Sequence, residues 1–330
     1  MRALLLYNPT AGRIPVRYFI KGAANRLQQV GWQVEVRASS SADNVTEIAR
    51  EAAADGLDAL FAVGGDGTIR RAASGLVGSR TALGVLPAGT MNVFALELGM
   101  KHFTWYRPWG LRSNIGRLAD ARVYKVDVGR FGGQYFLLWV GIGLDAITVQ
   151  QLEPRPRLDK FVTVPHYAAQ VVWNAAQWHG QDLQFRVSGQ EISGRYILAV
   201  VANIRRYVGG LVTISPQARL DDGEMDLWLF SGNDIVDTAK HAVKIVTQRH
   251  THSLDVQRFP FRSLEVQSGR PFGLQVDGDP EPGFQNFRLD VLPMALKLLV
   301  PGGSPVLGLL KQTGSPLAER PSQVRGLTSA

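Results

Sequence analysis

The sequence predicts an α/β domain with a parallel sheet, followed by a β-rich domain that forms an antiparallel sandwich. Strand-like and helix-like segments alternate over the first third of the chain, which is typical of a parallel sheet covered by helices. After about residue 125, short strand-like runs follow one another between turn signals, which favours an antiparallel sandwich. A chain of 330 residues also exceeds one ordinary core. We therefore place the first domain at residues 1–125 and the second at residues 126–300.

Apolar periodicity predicts the elements of the first domain. The apolar run before Gly64 predicts a buried strand, and the run from Ile69 to Leu76 predicts a helix. A further helix face, with apolar residues at i, i+3, i+4 and i+7, is formed by Val45, Ile48, Ala49 and Ala52. In chain order we expect strands at 3–7, 32–37, 57–63 and 81–86, and helices at 16–30, around 45–52, from 69 and from 91.

The second domain is predicted as a series of short strands with helical insertions near residues 158–178 and 233–248. The strand-like runs cover residues 123–129, 134–140, 183–187, 195–202, 225–230, 262–267, 272–276, 287–291 and 296–300. We leave open that the last of these strands, at residues 296–300, belongs to the first domain. Residues 301–330 are rich in Gly, Pro and Ser and show no sustained period, so we expect a mostly disordered tail.

Composition excludes several classes of protein and site. The chain has no cysteine, which excludes disulfides, thiolate metal sites and cysteine nucleophiles. Its net charge of +8 favours anionic partners, but the charge is spread along the chain, which does not favour nucleic acid as a partner. The longest uncharged apolar run, residues 135–144, is far shorter than the roughly 20 residues of a membrane helix. We therefore expect a cytoplasmic protein.

A glycine cluster, GGDGT at residues 64–68, ends a predicted strand and begins a helix. Residues without a Cβ let backbone N–H groups approach a phosphate, and a helix N-terminus favours its negative charge. Thr68 stands where a helix N-cap is expected. Asp66 is compatible with a metal ion, a ribose hydroxyl, a proton transfer or a simple helix cap. The cluster therefore predicts nucleotide or phosphate binding, with a tight turn as the alternative.

Two more loops of this kind follow predicted strands. Residues 8–12 follow the first strand, and residues 86–92 turn through Pro87 and Gly89 to Thr90, which is expected to cap a helix. Neighbouring strand ends of a parallel sheet meet in one crevice, so we expect the three loops to share one ligand. The Walker pattern is absent. Residues 141–146 fit G-x-G-x-x-A and leave a dinucleotide site as a weaker alternative, because their surroundings look antiparallel.

Three motifs together resemble the diacylglycerol kinase catalytic-domain family, which includes bacterial lipid kinases and the sphingosine and ceramide kinases. They are GGDGT at residues 64–68, LPAGTMNVFA at residues 86–95 and VDGD at residues 276–279. Two further stretches fit, DVG at residues 127–129 and PQARLDDGEMD at residues 216–226. Taken alone, the VDGD stretch is a hairpin turn, because Asp-Gly is the strongest short hairpin signal.

The resemblance implies a three-layer, NAD-kinase-like ATP-binding domain, a β-rich domain with the lipid pocket, and Mg²⁺. It implies a proton acceptor in the segment from Asp277 to Asp279, with Asp66 as a third catalytic acid and holder of Mg²⁺. The implied ATP contacts are Asn8, Pro9, Thr10, Ala11, Gly12, Ser39, Gly64, Gly65, Asp66, Gly67, Thr68, Thr90 and Asn92. A structural Mg²⁺ is implied at the Asp222 side chain and the carbonyls of Arg219 and Glu224, with Asp127 as a fourth metal residue.

Three positions depart from the family pattern. Arg70 and Arg71 replace the usual Asn-Glu, Val93 replaces a frequent Asp, and Asp279 replaces the usual Glu, which shortens its reach by one methylene. We hypothesise that the two arginines hold phosphates directly. The departures also keep open a catalytically inactive lipid- or nucleotide-binding relative.

The sequence thus predicts an ATP- and Mg²⁺-dependent kinase of a lipid hydroxyl, on diacylglycerol or a related lipid, in phospholipid metabolism. A soluble NAD kinase, which shares the GGDGT motif, is the close alternative. We expect transient contact with an anionic membrane surface, and an aromatic cluster at residues 103–109 is a candidate for that contact or for packing between domains. A homodimer is left open.

Overall fold

The computed structural model describes residues 1–9, 16–101, 110–152, 173–174 and 177–316. The aromatic cluster of residues 103–109 and most of the helical insertion expected near 158–178 lie outside the described residues. The same holds for Thr10, Ala11 and Gly12, which the resemblance places at the nucleotide.

The first part of the chain alternates strands and helices. The strands are β1 (Arg2–Tyr7), β2 (Gln33–Ala38), β3 (Ala59–Gly64) and β4 (Ala82–Pro87). The helices are α1 (Arg17–Gln29), α2 (Ala42–Ala54), α3 (Asp66–Leu76), α4 (Val93–Glu97) and α5 (Gly110–Leu118). This confirms that an α/β part comes first in the chain.

The four strands pair in parallel in the order β2-β1-β3-β4. The connections through α1 and α2 run in opposite directions along this sheet, so right-handed crossovers put the two helices on opposite faces. Helix α2 packs against α3, and α1 packs against α5. All six residues of β3 and of β4 are buried, because helices cover both of their faces.

The second part is rich in strands. It contains β5 (Arg122–Phe131), β6 (Gln134–Phe136), β7 (Trp139–Gly143), β8 (Gln181–Val187), β9 (Gln190–Ala202), β10 (Arg206–Tyr207), β11 (Val212–Thr213), β12 (Met225–Ser231), β13 (Val256–Phe261), β14 (Ser263–Val276) and β15 (Asp279–Val300). Among the described residues, these strands are joined by α6 (Leu144–Leu152) and α7 (Ile235–Val246), with a short 3-10 helix at Arg249–His252 and helical residues at 173–174 and 177. A β-rich second part is therefore confirmed.

The antiparallel strands curl around a core of their own. Strand β14 pairs with both β8 and β7, and β9 pairs with the same two strands, so the four close a circuit. Large apolar side chains fill the space inside, among them Phe136, Phe185, Leu227 and Phe272. The sheet reaches the α/β part through β15, because Leu298 pairs in parallel with Leu83 of β4.

The structure differs from the predicted elements at two long strands. The runs expected at 262–267 and 272–276 are one strand, β14, with an irregular register between Gln267 and Phe272. The runs at 287–291 and 296–300 belong to the 22-residue β15, whose register shifts between Leu292 and Leu296. Apolar alternation stops at each irregularity, so the sequence pattern reads one bent strand as two.

Residues 301–316 pack on the body of the protein, although we expected a mostly disordered tail from residue 301. Ser304 and Val306 are buried, and Ser315 forms a bridge with Val123. The carboxylate of Asp221 accepts hydrogen bonds from the backbone N–H groups of Lys311 and Gln312, at 2.7 and 2.8 Å. These contacts involve isolated residues and backbone groups, which leave no periodic signal in the sequence.

Candidate active site

The loops after β1 and β2 lie side by side at the carboxyl edge of the parallel sheet. The backbone N–H of Asn8 donates to the Val63 carbonyl at 3.2 Å, which ties the first loop to the end of β3. Ser39 follows β2, is buried, and donates its backbone N–H to the Tyr7 carbonyl at 2.9 Å. Asn8, Pro9 and Ser39 therefore stand at the strand ends where a ligand of a parallel sheet binds.

Helix α3 begins in the GGDGT segment, one turn earlier than Thr68 suggested. Gly65 is the N-cap, with an extended backbone, and its carbonyl accepts from the N–H groups of Thr68 and Ile69. Thr68 lies inside the first turn and is buried, so the expectation that it caps the helix is wrong. Because glycine has no side chain, no side-chain oxygen at the N-cap accepts from the first N–H groups of α3.

Helix α4 is capped by Asn92 instead of Thr90. Asn92 has a left-handed backbone with a φ of 54°. Its side chain accepts from the Gly89 N–H at 2.8 Å and donates to the Gly89 carbonyl at 2.9 Å, which closes the turn. The expected cap at Thr90 is therefore wrong, since the turn extends two residues further before the helix begins.

The glycine loops after β3 and β4 are in direct contact through their backbones. A Cβ on Gly89 would lie 2.3 Å from the Cα of Gly65, so no larger residue fits at this crossing. The Ala88 N–H donates to the Gly64 carbonyl at 2.8 Å beside it. The two glycine loops therefore form one continuous backbone surface, and the expectation that the loop at residues 8–12 shares a ligand with them stays a prediction.

Asp66 links the same two loops through its side chain. Its Oδ1 accepts from the Phe94 N–H, in the first turn of α4, at 3.1 Å. Desolvation of the carboxyl raises the pKa of Asp66, and the amides of Phe94, Val93 and Asn92 offset part of that rise. Asp66 is thus a helix-capping acid, as one alternative held, but the helix that it caps is α4 and not its own.

A cavity of about 200 Å³ separates this surface from the second half of the chain. Asp66 and Gly67 line it from the first half. Most of the other walls come from the second half, namely Leu138, Trp139, Asp145, Val149, Tyr207, Val208, Gly209, Gln275, Asp277 and Gly278. The GGDGT loop and the VDGD segment, more than 200 residues apart, therefore face one cavity.

Asp277 is buried in the tight turn between β14 and β15. Its carboxylate accepts from the backbone N–H groups of Leu137, Leu138 and Trp139, at 2.9, 2.8 and 3.2 Å. Burial raises the pKa of Asp277 to about 6, although the Arg70 guanidinium and these amides lower it. Both carboxylate oxygens are engaged, so this side chain holds the start of β7 in place.

Asp279 follows at the first position of β15 and faces two arginines of α3. Its Oδ2 lies 2.5 Å from Nη2 of Arg70 and 3.8 Å from Nη2 of Arg71. The Asp279 side chain is 44% exposed, whereas that of Arg70 is 9% exposed. Two departures from the family pattern, the arginine pair and the shortened acid, are therefore in contact with each other.

Sequence reasoning missed two polar residues of the cavity, Asp145 and Gln275. Both are buried, and Gln275 donates to Asp145 Oδ2 at 2.6 Å. The signal was present in the G-x-G-x-x-A stretch, which contains Asp145, but that pattern pointed to a dinucleotide.

Three of the four residues implied at the structural Mg²⁺ come together around one small cavity. Arg219, Asp222 and Glu224 line a small cavity of about 20 Å³ together with Asp226 and Arg258. Burial raises the pKa of Asp222, and the like charges of Glu224 and Asp226 raise it further. Oxygen donors beside a carboxylate of this kind suit Mg²⁺. Among the described residues no group of three acidic or histidine side chains could hold a metal, and the structural Mg²⁺ site stays a prediction.

Asp127 is hydrogen-bonded to this segment, because its carboxylate accepts from backbone N–H groups. Oδ2 accepts from the Gly223 N–H and Oδ1 from the Met294 N–H, both at 2.7 Å. Burial raises the pKa of Asp127 to about 6, the two amides offset part of the rise, and Asp222 and Asp221 add to it. Asp127 thus fixes the segment from Asp221 to Glu224, and its role as a metal ligand stays a prediction.

Comparison with known proteins decides the family. The model of the diacylglycerol kinase catalytic domain matches residues 2–131, and that of the YegS C-terminal NAD kinase beta sandwich-like domain matches residues 139–300. A Pseudomonas aeruginosa protein named "Probable lipid kinase YegS-like" is 30% identical over 309 residues, which cover 92% of this chain and 95% of that protein. The chain belongs to the diacylglycerol kinase catalytic-domain family.

Other members of the diacylglycerol kinase family are similar over most of the chain. A Bacillus subtilis protein named "Diacylglycerol kinase" is 26% identical over 284 residues, covering 84% of this chain and 89% of that protein. The crystal structure of a diacylglycerol kinase from Bacillus anthracis superposes with a TM-score of 0.68 at 19% identity, covering 91% of this chain and 97% of that chain. This likeness supports the fold. Within the part of the chain that the structure describes, no helix has the length and apolarity needed to cross a membrane.

Proposed function

We propose that this chain is an ATP-dependent kinase that phosphorylates a hydroxyl group of diacylglycerol or a related lipid. The observation that carries the proposal is the cavity between the two halves, where Asp66 and Gly67 of the glycine loop face Asp277 and Gly278 of the acidic turn. Phosphoryl transfer needs a phosphate cradle and a base on opposite sides of one reaction centre. Membership of the family supports the same reaction.

The nucleotide would lie along the carboxyl edge of the parallel sheet. Backbone N–H groups of the loops at residues 8–12, 64–68 and 89–92 would surround its phosphates, since no Cβ stands between them and a ligand at the glycines. Ser39 and Thr90 would contact the same molecule. Residues 10–12, outside the described part, belong to this proposal through the family resemblance.

We assign the proton acceptor to Asp279 and not to Asp277. Asp277 has both oxygens engaged by three backbone amides, whereas Asp279 is partly exposed and held on one oxygen by Arg70. As the lipid oxygen attacks the γ-phosphorus, its proton passes to the free oxygen of Asp279, and the bond from that phosphorus to the ADP oxygen breaks. Asp277 keeps the turn in position throughout.

Mg²⁺ bound to the triphosphate would neutralise the charge that develops during transfer. Asp66 faces the cavity and would stand close enough to help hold it, which would also favour the ionised form of this desolvated carboxyl. At the structural site, Asp222 would bind through its carboxylate, and Arg219 and Glu224 through their carbonyls.

The setting of the reaction is part of the proposal. A lipid acceptor and a net charge of +8 support transient peripheral contact with an anionic membrane surface from the cytoplasm. An NAD kinase is the second candidate, because the β-rich part matches a model described as NAD kinase beta sandwich-like. An inactive binding relative is the third candidate, because Arg70 forms an ion pair with Asp279, the residue assigned as the base.

One assay separates the three candidates. The purified chain is incubated with γ-labelled ATP and Mg²⁺, either with anionic vesicles that contain diacylglycerol or with NAD. We expect labelled phosphatidic acid and no labelled NADP, and loss of the lipid product in Asp279→Asn. Labelled NADP would replace the proposal by the second candidate. ATP binding by calorimetry without a labelled product from any extracted lipid would replace it by the third.

A further inference from the structure

The stretch from Gly141 to Ala146 has no part in the proposed reaction, although it lines the same cavity. Gly141 and Gly143 belong to β7, which runs antiparallel to β9 and β14, so no dinucleotide-binding βαβ unit forms there. Asp145 lies in the first turn of α6 and faces the cavity with Asp277 and Gly278. A buried carboxylate at this place needs a physical account of its own.

A chain of two hydrogen bonds leads from Asp145 to the acidic turn. Asp145 Oδ2 accepts from Gln275 Nε2 at 2.6 Å, and Gln275 Oε1 accepts from the Gly278 N–H at 2.7 Å. Gln275 is fully buried and Asp145 is 7% exposed. An ionised carboxylate only accepts and a backbone N–H only donates, so the Gln275 amide has a single allowed orientation.

The Gly278 N–H, the last donor in this pair of hydrogen bonds, lies in the middle of the turn. Asp277 and Gly278 have φ angles of 51° and 87° and form a two-residue loop that closes the pair between Val276 and Asp279. Two consecutive positive φ angles define the type I′ hairpin turn. A hydrogen bond to the Gly278 N–H therefore fixes where β15 begins, and its first residue is Asp279.

The backbone at Gly141 leaves room for the hydrogen bond between Gln275 and Asp145. A Cβ on Gly141 would lie 2.0 Å from Asp145 Oδ2 and 2.7 Å from Gln275 Nε2. Even alanine at this position would displace both partners. The glycine of the motif thus serves the contact between Asp145 and Gln275 and not a nucleotide.

We propose that Asp145 is a positioning residue for the catalytic turn and acts through Gln275. The proposal rests on the proposed function in one respect, the assignment of Asp279 as the base. Asp145 gives and takes no proton in the reaction. Its charge strengthens the hydrogen bond to Gln275, which is fully buried, and Gln275 in turn holds Gly278 and the start of β15.

Exchanging donor and acceptor tests this arrangement. Asp145→Asn keeps an oxygen that accepts from Gln275 but removes the charge that strengthens this bond, and Gln275→Glu sets two carboxylates against each other. The double variant D145N/Q275E restores both bonds, because the new amide donates to the new carboxylate, which still accepts from Gly278, and the total charge is conserved. We expect each single variant to lose about tenfold or more in kcat with an unchanged KM for ATP, and the double variant to recover most of it.

A second readout does not depend on catalysis. Amide hydrogen exchange at Gly278, followed by NMR, should accelerate about tenfold in each single variant and return towards the native rate in the double variant. Asp43→Asn, an exposed change on α2, is the matched control for both readouts. A double variant as impaired as the worse single variant, or unchanged exchange in Asp145→Asn, would overturn the proposal. If the native chain phosphorylated no lipid, the proposed function would fail, and the exchange rates would still decide the role of Asp145.

Discussion

Three aspartates near one cavity have different partners and therefore different roles. Asp66 caps α4, Asp277 accepts from three amides, and Asp279 forms an ion pair with Arg70. A carboxylate engaged by backbone N–H groups is held in place, whereas one with a free oxygen remains available as a base. The roles follow from these environments and not from the residue type.

Arg70 gives the first prediction at this scale. Because its buried guanidinium holds Asp279, Arg70→Ala should lower kcat by about tenfold and leave the KM for ATP nearly unchanged. Arg71→Ala is the matched control, since Arg71 lies farther from Asp279 and should have a smaller effect. Steady-state kinetics at varied ATP concentration measures both. A raised KM for ATP with an unchanged kcat would instead indicate that Arg70 binds the phosphates of ATP, as hypothesised from the sequence.

Two carboxyls whose pKa values are raised to about 6 by burial predict how stability depends on pH. Asp127 and Asp277 have pKa values of about 6 in the folded chain, against about 3.9 when unfolded. The folded state therefore holds more protons between pH 4 and 6, and raising the pH through this window favours unfolding. Each group should lower the free energy of unfolding by on the order of 2–3 kcal/mol across it.

Urea denaturation at pH 4.5, 5.5 and 6.5 checks this dependence. Asp127→Asn should flatten the fall in stability whatever its effect on the absolute value, because an amide does not titrate. A stability that rises steadily across the window would show that these carboxyls are not protonated more readily in the folded state.

The sequence predicted which acids belong to the site but not what they contact. Asp66 and the turn at Asp277 and Asp279 follow from short local motifs. The pair between Arg70 and Asp279 joins residues 209 positions apart, and a single sequence carries no signal for such a contact. Asp145 was hidden for a related reason, since its motif has its usual meaning only within a parallel βαβ unit.

At the scale of elements, the convergence of the glycine loops is the feature that makes a site. Strand-helix alternation predicted the four parallel strands and their helices to within a few residues. The capping residues were wrong at both helices, because backbone geometry at Gly65 and Asn92 replaced the side-chain caps expected at Thr68 and Thr90. Short turns are set by their contacts with neighbouring loops, which local sequence does not show.

The crossing of Gly65 and Gly89 gives a prediction at this scale. Gly89→Ala would place a methyl group 2.3 Å from the Gly65 Cα, so the two loops must separate. We expect ATP affinity to fall about tenfold or more and the melting temperature to drop by several degrees. Gly22→Ala is the matched control, because its Cβ meets nothing within 4 Å and it lies in α1.

Calorimetric titration with ATP and a thermal melt distinguish the two changes. Alanine in a helix is favoured over glycine by up to about 1 kcal/mol, so Gly22→Ala should bind ATP normally and melt slightly higher. Normal ATP affinity in Gly89→Ala would contradict the claim that the two loops form one binding surface.

At the scale of the whole molecule, a shared sheet and ion pairs between distant residues join the two halves. Strand β15 leaves the acidic turn at Asp279 and ends beside β4 of the parallel sheet. Glu97 of α4 is 2% exposed and lies 2.5 Å from Nε of Arg205, next to the hairpin of β10 and β11 that lines the cavity. The glycine loops and the cavity walls are therefore held together by the fold itself. Composition and periodicity predicted the two parts, but their joining depends on pairings between distant residues.

The central claim is that the acid at the start of β15 serves the nucleotide site of the first half. The most direct measurement compares Asp279→Asn with the native chain, using γ-labelled ATP and diacylglycerol vesicles for kcat and calorimetry for ATP affinity. The account predicts a loss of about 100-fold or more in kcat with an unchanged dissociation constant for ATP. A variant that kept native kcat, or that lost ATP binding and catalysis together, would contradict it.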